Sequence, residues 1–217
     1  VPDISRTWYY VRSKDDFIRP LYERILDCAK GAALMTGTTH EVRRLAARHQ
    51  RYSNKALAEA IFANVRAVGV PAYTEEEHAF ARSIQKTMGA PETGMTVSVD
   101  LIDASAAPFR GDSSDVGDVT LVAPTATLNF PTWVPGAVGH HWTVTACQRN
   151  SITHKGIDAA ALVQGLTTLG LASNPELVKA IAEEFRVLRK ERPYVNFLDP
   201  GTEPPLDWHA ADMARFR

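Results

Sequence analysis

Residues 53–69, SNKALAEAIFANVRAVG, constrain the fold more than any other stretch of the chain. Ser53 precedes Leu57, Ile61 and Val65, which recur at helical spacing, and Gly69 follows them. A Ser at that place caps the free amides of a first turn, and a Gly stops a helix. The segment therefore predicts an amphipathic helix with one face buried against the rest of the fold. The run TEEEHAFARSIQKTMG predicts a second, shorter helix capped by Thr74. Asn174 and Pro175 open PELVKAIAEEFRVLRKE, with Pro at the first helical position. There Glu176, Glu183 and Glu184 precede Arg186, Arg189 and Lys190, the order that the helix dipole favours. With 217 residues the chain is long enough to bury a core, as one large domain or two small ones.

The N-terminal part reads differently. RTWYYVR, residues 6–12, is aromatic and β-branched and predicts a strand. Ser13 then stands as an N-cap, with Asp15 and Asp16 in the first turn and Phe17, Leu21, Ile25 and Cys28 on one face. Pro20 inside that helix predicts a kink or a later start. KGAALMTGTT closes the helix, and THEVRRLAARHQR predicts a second strand with a basic face. Strand, helix and strand over residues 1–51 make half of a small α+β sandwich, and a new unit begins near Tyr52. Further on, GDVTLVAPTATLNF predicts a buried strand running into a loop. KGIDAAALVQGLTTLGLA, from about Lys155, predicts a helix whose Ala and Gly allow close packing. The Ala-, Ser-, Gly- and Pro-rich residues 90–112 fit no element, and the tail after Pro193 predicts an extended surface segment.

Charge and composition exclude little but set limits. A formal net charge of −1 gives no sign of a nucleic-acid partner or an anionic membrane surface. No apolar run is long enough to span a bilayer, and the opening VPDISRTWYYVRSKDD lacks the layout of a signal peptide. Cys28 and Cys147 follow no metal or redox spacing and read as two reduced thiols, which predicts a cytoplasmic setting.

Three of the seven histidines fall in residues 134–156, VPGAVGHHWTVTACQRNSITHKG. His140 follows a Pro-Gly-x-x-Gly turn, a place where a fixed backbone can aim an imidazole into a cleft and offer it to a metal. A structural histidine is the alternative, and it applies also to His141 and His154. The chain has no HExxH, no paired-cysteine motif and no Gly-x-Ser-x-Gly, and one imidazole makes no metal site by itself. GDSSDVGDV, residues 111–119, can offer amides and hydroxyls to an anion or carbonyl oxygen, or can be a polar turn. Arg12 can clamp a substrate carboxylate, or can be a solvated strand end.

Taken in order, WYYVR, KGAALMTGTT, SNKALAEAI, GDSSDVGDVTLVAPTATLNF, PTWVPGAVGHHW and SITHKG resemble the di-metal amidohydrolases and peptidases of the aminoacylase and carboxypeptidase G family. The likeness is to its aminobenzoyl-glutamate-hydrolysing branch and covers nearly the whole chain. It implies an α/β fold: the C-terminal part of a zinc-peptidase-like catalytic domain over residues 52–217, and half of an α+β sandwich lid, used for dimerisation, over residues 1–51. It implies two divalent ions, zinc or manganese, with His140 (alternatively His141) as a ligand. Arg12 and Ser114 would bind substrate, and Asp115 and His154 would support the ligands from behind. It implies hydrolysis of an amide by a metal-activated water, or removal of an amine from an aromatic substrate, or a non-catalytic assembly subunit on the same scaffold. The family's His-x-Asp ligand, bridging carboxylate and Glu-Glu general base are not in these residues. The resemblance therefore implies no catalytic base in this chain, an upstream N-terminal polypeptide as partner, and a homodimer through the lid. A fragment, a processed product and a split-gene subunit would each begin as this chain does.

Overall fold

The computed structural model describes residues 3–101, 114–206 and 209–216, and among these it forms helices and no β-strand. In chain order the main helices are α1 (Asp15–Thr36), α2 (Lys55–Val68), α3 (Glu75–Thr87), α4 (Val116–Thr120), α5 (Trp142–Gln148), α6 (Ser151–Ser173) and α7 (Pro175–Glu191). They fall into two compact units. Among the described residues, one unit takes 3–51, 114–122 and those from 192 onward; the other takes 52–101 and 123–191.

In the first unit α1 runs for 22 residues and passes through Pro20 in its second turn. Its end is set by Gly37, at φ 63°, where the Gly37 amide donates to Leu34 and the Thr38 amide to Ala33. This paired closure satisfies two of the last carbonyls and needs the left-handed conformation that Gly adopts without a steric penalty. The expected Ser13 cap is not formed: Lys14 holds the N-cap position and makes no side-chain bond. The Asp15 amide donates instead to Gln50 Oε1 at 3.1 Å, and the Gln50 amide donates to Asp15 Oδ1 at 2.8 Å. A partner 35 residues away thus closes the first turn.

His49 beside it is a second fastening. Its Nδ1 lies 2.7 Å from Asp15 Oδ2 and its Nε2 2.8 Å from the carbonyl of Val195, while Phe197 lies against the ring at 4.0 Å. Gly117 sits so close to this strap that a Cβ would come 1.8 Å from the His49 carbonyl oxygen. Residues 6–12 and 39–51, read above as strands, are without regular structure. Aromatic and β-branched residues favour strands only where a partner strand completes the ladder, and none is present among the described residues. The side chains of Trp8, Tyr9 and Tyr10 are accordingly exposed.

In the second unit α2 lies against α6 and α7, and α5 and α7 also pack on α6. The cap of α2 is Asn54, one residue later than the expected Ser53. Asn54 is 5% exposed; its Oδ1 accepts from the Leu57 amide at 2.9 Å and its Nδ2 donates to the Ile181 carbonyl of α7 at 3.0 Å. Glu184 of α7 accepts from the amides of Lys55 and Ala56, so a carboxylate faces the positive end of α2. α3 carries the expected Thr74 cap as a full capping box with Glu77. α6 begins at Ser151, four residues before the expected start, because Asn150 caps it by accepting from the Ile152 amide. GDVTLVAPTATLNF, whose residues up to Val122 belong to the first unit, is not the expected buried strand: it begins with the short α4, and Val119 and Val122 are exposed while Leu121 is buried.

The core of this unit gathers Ala81, Ile84, Met95, Val134, Cys147 and Ile152, with Phe80 and Met88 against it. Val134, Cys147 and Ile152 are fully buried, and they bracket residues 135–146, the segment that carries the two adjacent histidines. Among the described residues no helix is long and apolar enough to cross a membrane.

A cleft at His140 as the candidate functional site

The loop before α5 is held from behind at several points. Gln85 is buried; its Nε2 donates to the carbonyls of Gly94 and Pro135, and its Oε1 accepts from the Gly94 amide. The Ala137 amide donates to the Val134 carbonyl at 3.1 Å. Thr153 of α6 faces the carbonyl of Thr132 through its hydroxyl. Gly156, one turn further along α6, lets the helix lie on residue 131: a Cβ there would come 2.1 Å from the Pro131 carbonyl oxygen. These contacts fix both ends of residues 132–137, and the chain then emerges toward solvent at Gly139 and His140.

His140 has φ 63°, the one positive φ at a non-Gly residue among the described residues. A side chain in that region costs about 1 kcal/mol or more and persists where the surroundings impose it, as at binding and catalytic sites. The imidazole is exposed. With Trp133, Gly139, His141, Trp142, Val144 and Thr145 it lines an open cleft of about 550 Å³.

His141 does other work. It is the N-cap of α5, with Nδ1 accepting from the Thr143 amide at 3.4 Å and lying 3.0 Å from the Thr143 hydroxyl. An Nδ1 that accepts leaves the proton on Nε2, so neither nitrogen of His141 offers a free lone pair while the cap is made. Thr143 itself is buried against Met88.

The other residues singled out from the sequence lie elsewhere. His154 is exposed in the first turn of α6 and does not line the cleft. Its neighbours carry packing: Lys155 pairs with the buried Glu77 at 2.7 Å, and Gly156 makes the close approach to Pro131. Arg12, Ser114 and Asp115 belong to the first unit. Arg12 lies 5.6 Å from the Tyr10 ring centroid, Ser114 is half-buried, and Asp115 is exposed at the start of α4 without a side-chain capping bond. Gly111, Asp112 and Ser113, the first part of the GDSSDVGDV loop, lie outside the described residues.

Among the described residues no three His, Cys, Asp or Glu side chains converge as a metal site. The described chain offers one well-placed imidazole, which is a ligand and not a ligand set.

Two features missed in the sequence organise this unit. Glu77 is 4% exposed and accepts from the Thr74 amide, the Ser151 hydroxyl and Lys155. Burial alone would push its carboxyl up, but these donors outweigh it and hold the group at about 2. Glu184, which caps α2, is the other. Each sits on an amphipathic helix whose pattern explains it as surface charge; only the Thr74–Glu77 spacing signalled a role.

Compared with known proteins, the chain resembles one component of a hydrolase. That relative is a subunit of the p-aminobenzoyl-glutamate hydrolase of Escherichia coli (strain K12), 29% identical in an alignment 201 residues long that covers 82% of this chain and 42% of the relative. The chain thus spans less than half the length of the curated relative it matches. No family model matches it, and no solved structure does.

Proposed function

We propose that this chain is the C-terminal part of a metal-dependent amidohydrolase that cleaves the amide of an aminobenzoyl-glutamate-like substrate. The observation that carries the reading is His140, an exposed imidazole held at a positive φ in the wall of a cleft. The likeness to a hydrolase subunit over 82% of the chain supports it. His140 supplies one ligand of a two-ion centre, with zinc or manganese as the metal. His141 serves the fold as the cap of α5. The other ligands and the general base come from polypeptide outside this sequence, since a centre of this kind needs three or four donors per ion. Two such ions supply a hydroxide at neutral pH. Arg12 and Ser114 remain the residues that the family resemblance offers for substrate, and Asp115 and His154 those it offers as supports for the ligands. Residues 1–51 belong to an α+β lid that pairs with a second copy, and residues 52–217 to the α/β catalytic part; sedimentation at rising concentration reads the pairing.

A second reading is a non-catalytic assembly subunit, favoured by the lack of a three-donor cluster among the described residues. One comparison separates the two. In an active preparation containing all its polypeptides, His140→Ala is expected to remove one bound ion per protomer and abolish hydrolysis. His141→Ala keeps the metal and loses about 1 kcal/mol of stability with its cap. Full metal content and full activity in His140→Ala would sink the hydrolase reading of this site.

A further inference from the structure

The cleft at His140 has a second property that the metal reading does not use. Its walls include two indoles, Trp133 at 44% exposure and Trp142 at 58%. Trp142 is also stacked at a tilt on His141, with ring centroids 5.7 Å apart. Exposed indoles that share a concave wall offer flat, polarizable surface to a ligand ring. Among the described residues the remaining lining is Gly139, His140, His141, Val144 and Thr145, with no Asp, Glu, Lys or Arg. A carboxylate entering such walls gives up water and meets no fixed cation among the described lining residues, which is costly. A neutral ring meets no such penalty. The volume, about 550 Å³, lies within the range of small-molecule sites. A Cβ placed on Gly139 would touch nothing within 4 Å, so the entrance beside His140 is open.

We infer that Trp133 and Trp142 hold the uncharged aromatic acyl end of the substrate beside His140, and that the anionic end of the substrate binds elsewhere. This rests on the amidohydrolase reading for the identity of the reacting bond, but the aromatic site itself does not need the metal. The indoles set specificity: they favour aryl amides over aliphatic ones of the same size.

The test is equilibrium binding of p-aminobenzamide to the full chain, read by saturation-transfer NMR, with cyclohexanecarboxamide as the saturated control. The aryl amide is expected to bind more tightly than the control. Trp133→Ala and Trp142→Ala are each expected to weaken it about three- to tenfold, and Trp142→Phe to restore most of the loss. Both indoles are exposed, so these variants leave the core intact. Equal binding of the saturated amide, or wild-type affinity in both alanine variants, overturns the proposal. His140→Ala separates the two readings: loss of metal with aryl binding intact supports both, whereas aryl binding absent in a protein that binds metal through His140 overturns the aromatic site and leaves the hydrolase reading standing.

Discussion

At the scale of single residues, the adjacent histidines divide their work by backbone geometry. His141 has φ −112° and caps a helix, while His140 has φ 63° and faces solvent. The left-handed conformation is unfavourable for any residue with a Cβ, so the strain at His140 can be measured apart from its chemistry. His140→Gly should be more stable than His140→Ala by about 1 kcal/mol, because Gly adopts positive φ freely. For a chain of this size that is a difference of roughly 2–4 °C in Tm, readable by calorimetry. Equal melting of the two variants would show that the backbone there is relaxed. The sequence shows the His-His pair and the Pro-Gly-x-x-Gly turn before it, but not which imidazole is consumed by the fold. A histidine cap depends on where α5 begins, and that start is fixed by Thr143 packing on Met88, a residue 55 positions away.

At the scale of elements, the helices whose ends are written locally were legible. α3 has its capping box within four residues, and α7 opens on Asn174 and Pro175, with Asn174 Oδ1 accepting from the Leu177 amide at 3.1 Å. Ends closed from a distance were not: the Asp15 amide by Gln50, and the start of α2 by Glu184. The strand readings at 6–12 and 39–51 failed for a related reason, since a strand exists only with its partner and periodicity cannot supply one. Close packing leaves a weaker trace, a Gly in a helix, which Gly156 illustrates. Gly156→Ala places a methyl 2.1 Å from the Pro131 carbonyl oxygen and 2.9 Å from its carbon, so backbone has to move. The expected cost is about 1–3 kcal/mol. Because Pro131 leads directly to Trp133, aryl-amide binding should weaken in the same variant. Gly165 has open space around it, so Gly165→Ala is the control and is expected to be neutral or slightly stabilising. A Gly156→Ala protein with wild-type stability in urea would show that residue 131 does not lie against α6.

At the scale of the whole molecule, contacts that span the sequence decide which segments belong together. His49 fastens to Val195 and Gly117 lies under the His49 carbonyl, so residues near 117 and beyond 192 join the N-terminal unit although nothing in their composition announces it. In the other unit a comparable long-range tie is Lys155 with Glu77, 78 residues apart. Its strength depends on pH in a defined sense. The Glu77 carboxyl is lowered from 4.5 to about 2 in the folded chain. The folded state therefore holds its proton less tightly than the unfolded state does. The stabilisation is fully present above about pH 4.5 and is lost as pH falls toward about 2. Lys155 is 35% exposed, and solvent screens its half of the pair. The difference between wild type and Glu77→Gln is thus about 2 kcal/mol at pH 5, less than the shift alone would give. Gln keeps the size and an acceptor for the Thr74 amide, so the variant isolates the charge. Urea unfolding at pH 5, 3 and 2 should show the difference shrinking to below about 0.5 kcal/mol at the lowest pH. A difference that stays constant across that range would mean that the Glu77 carboxyl titrates alike in the folded and unfolded states, and that the junction of α3 with α6 owes its stability to packing rather than to charge.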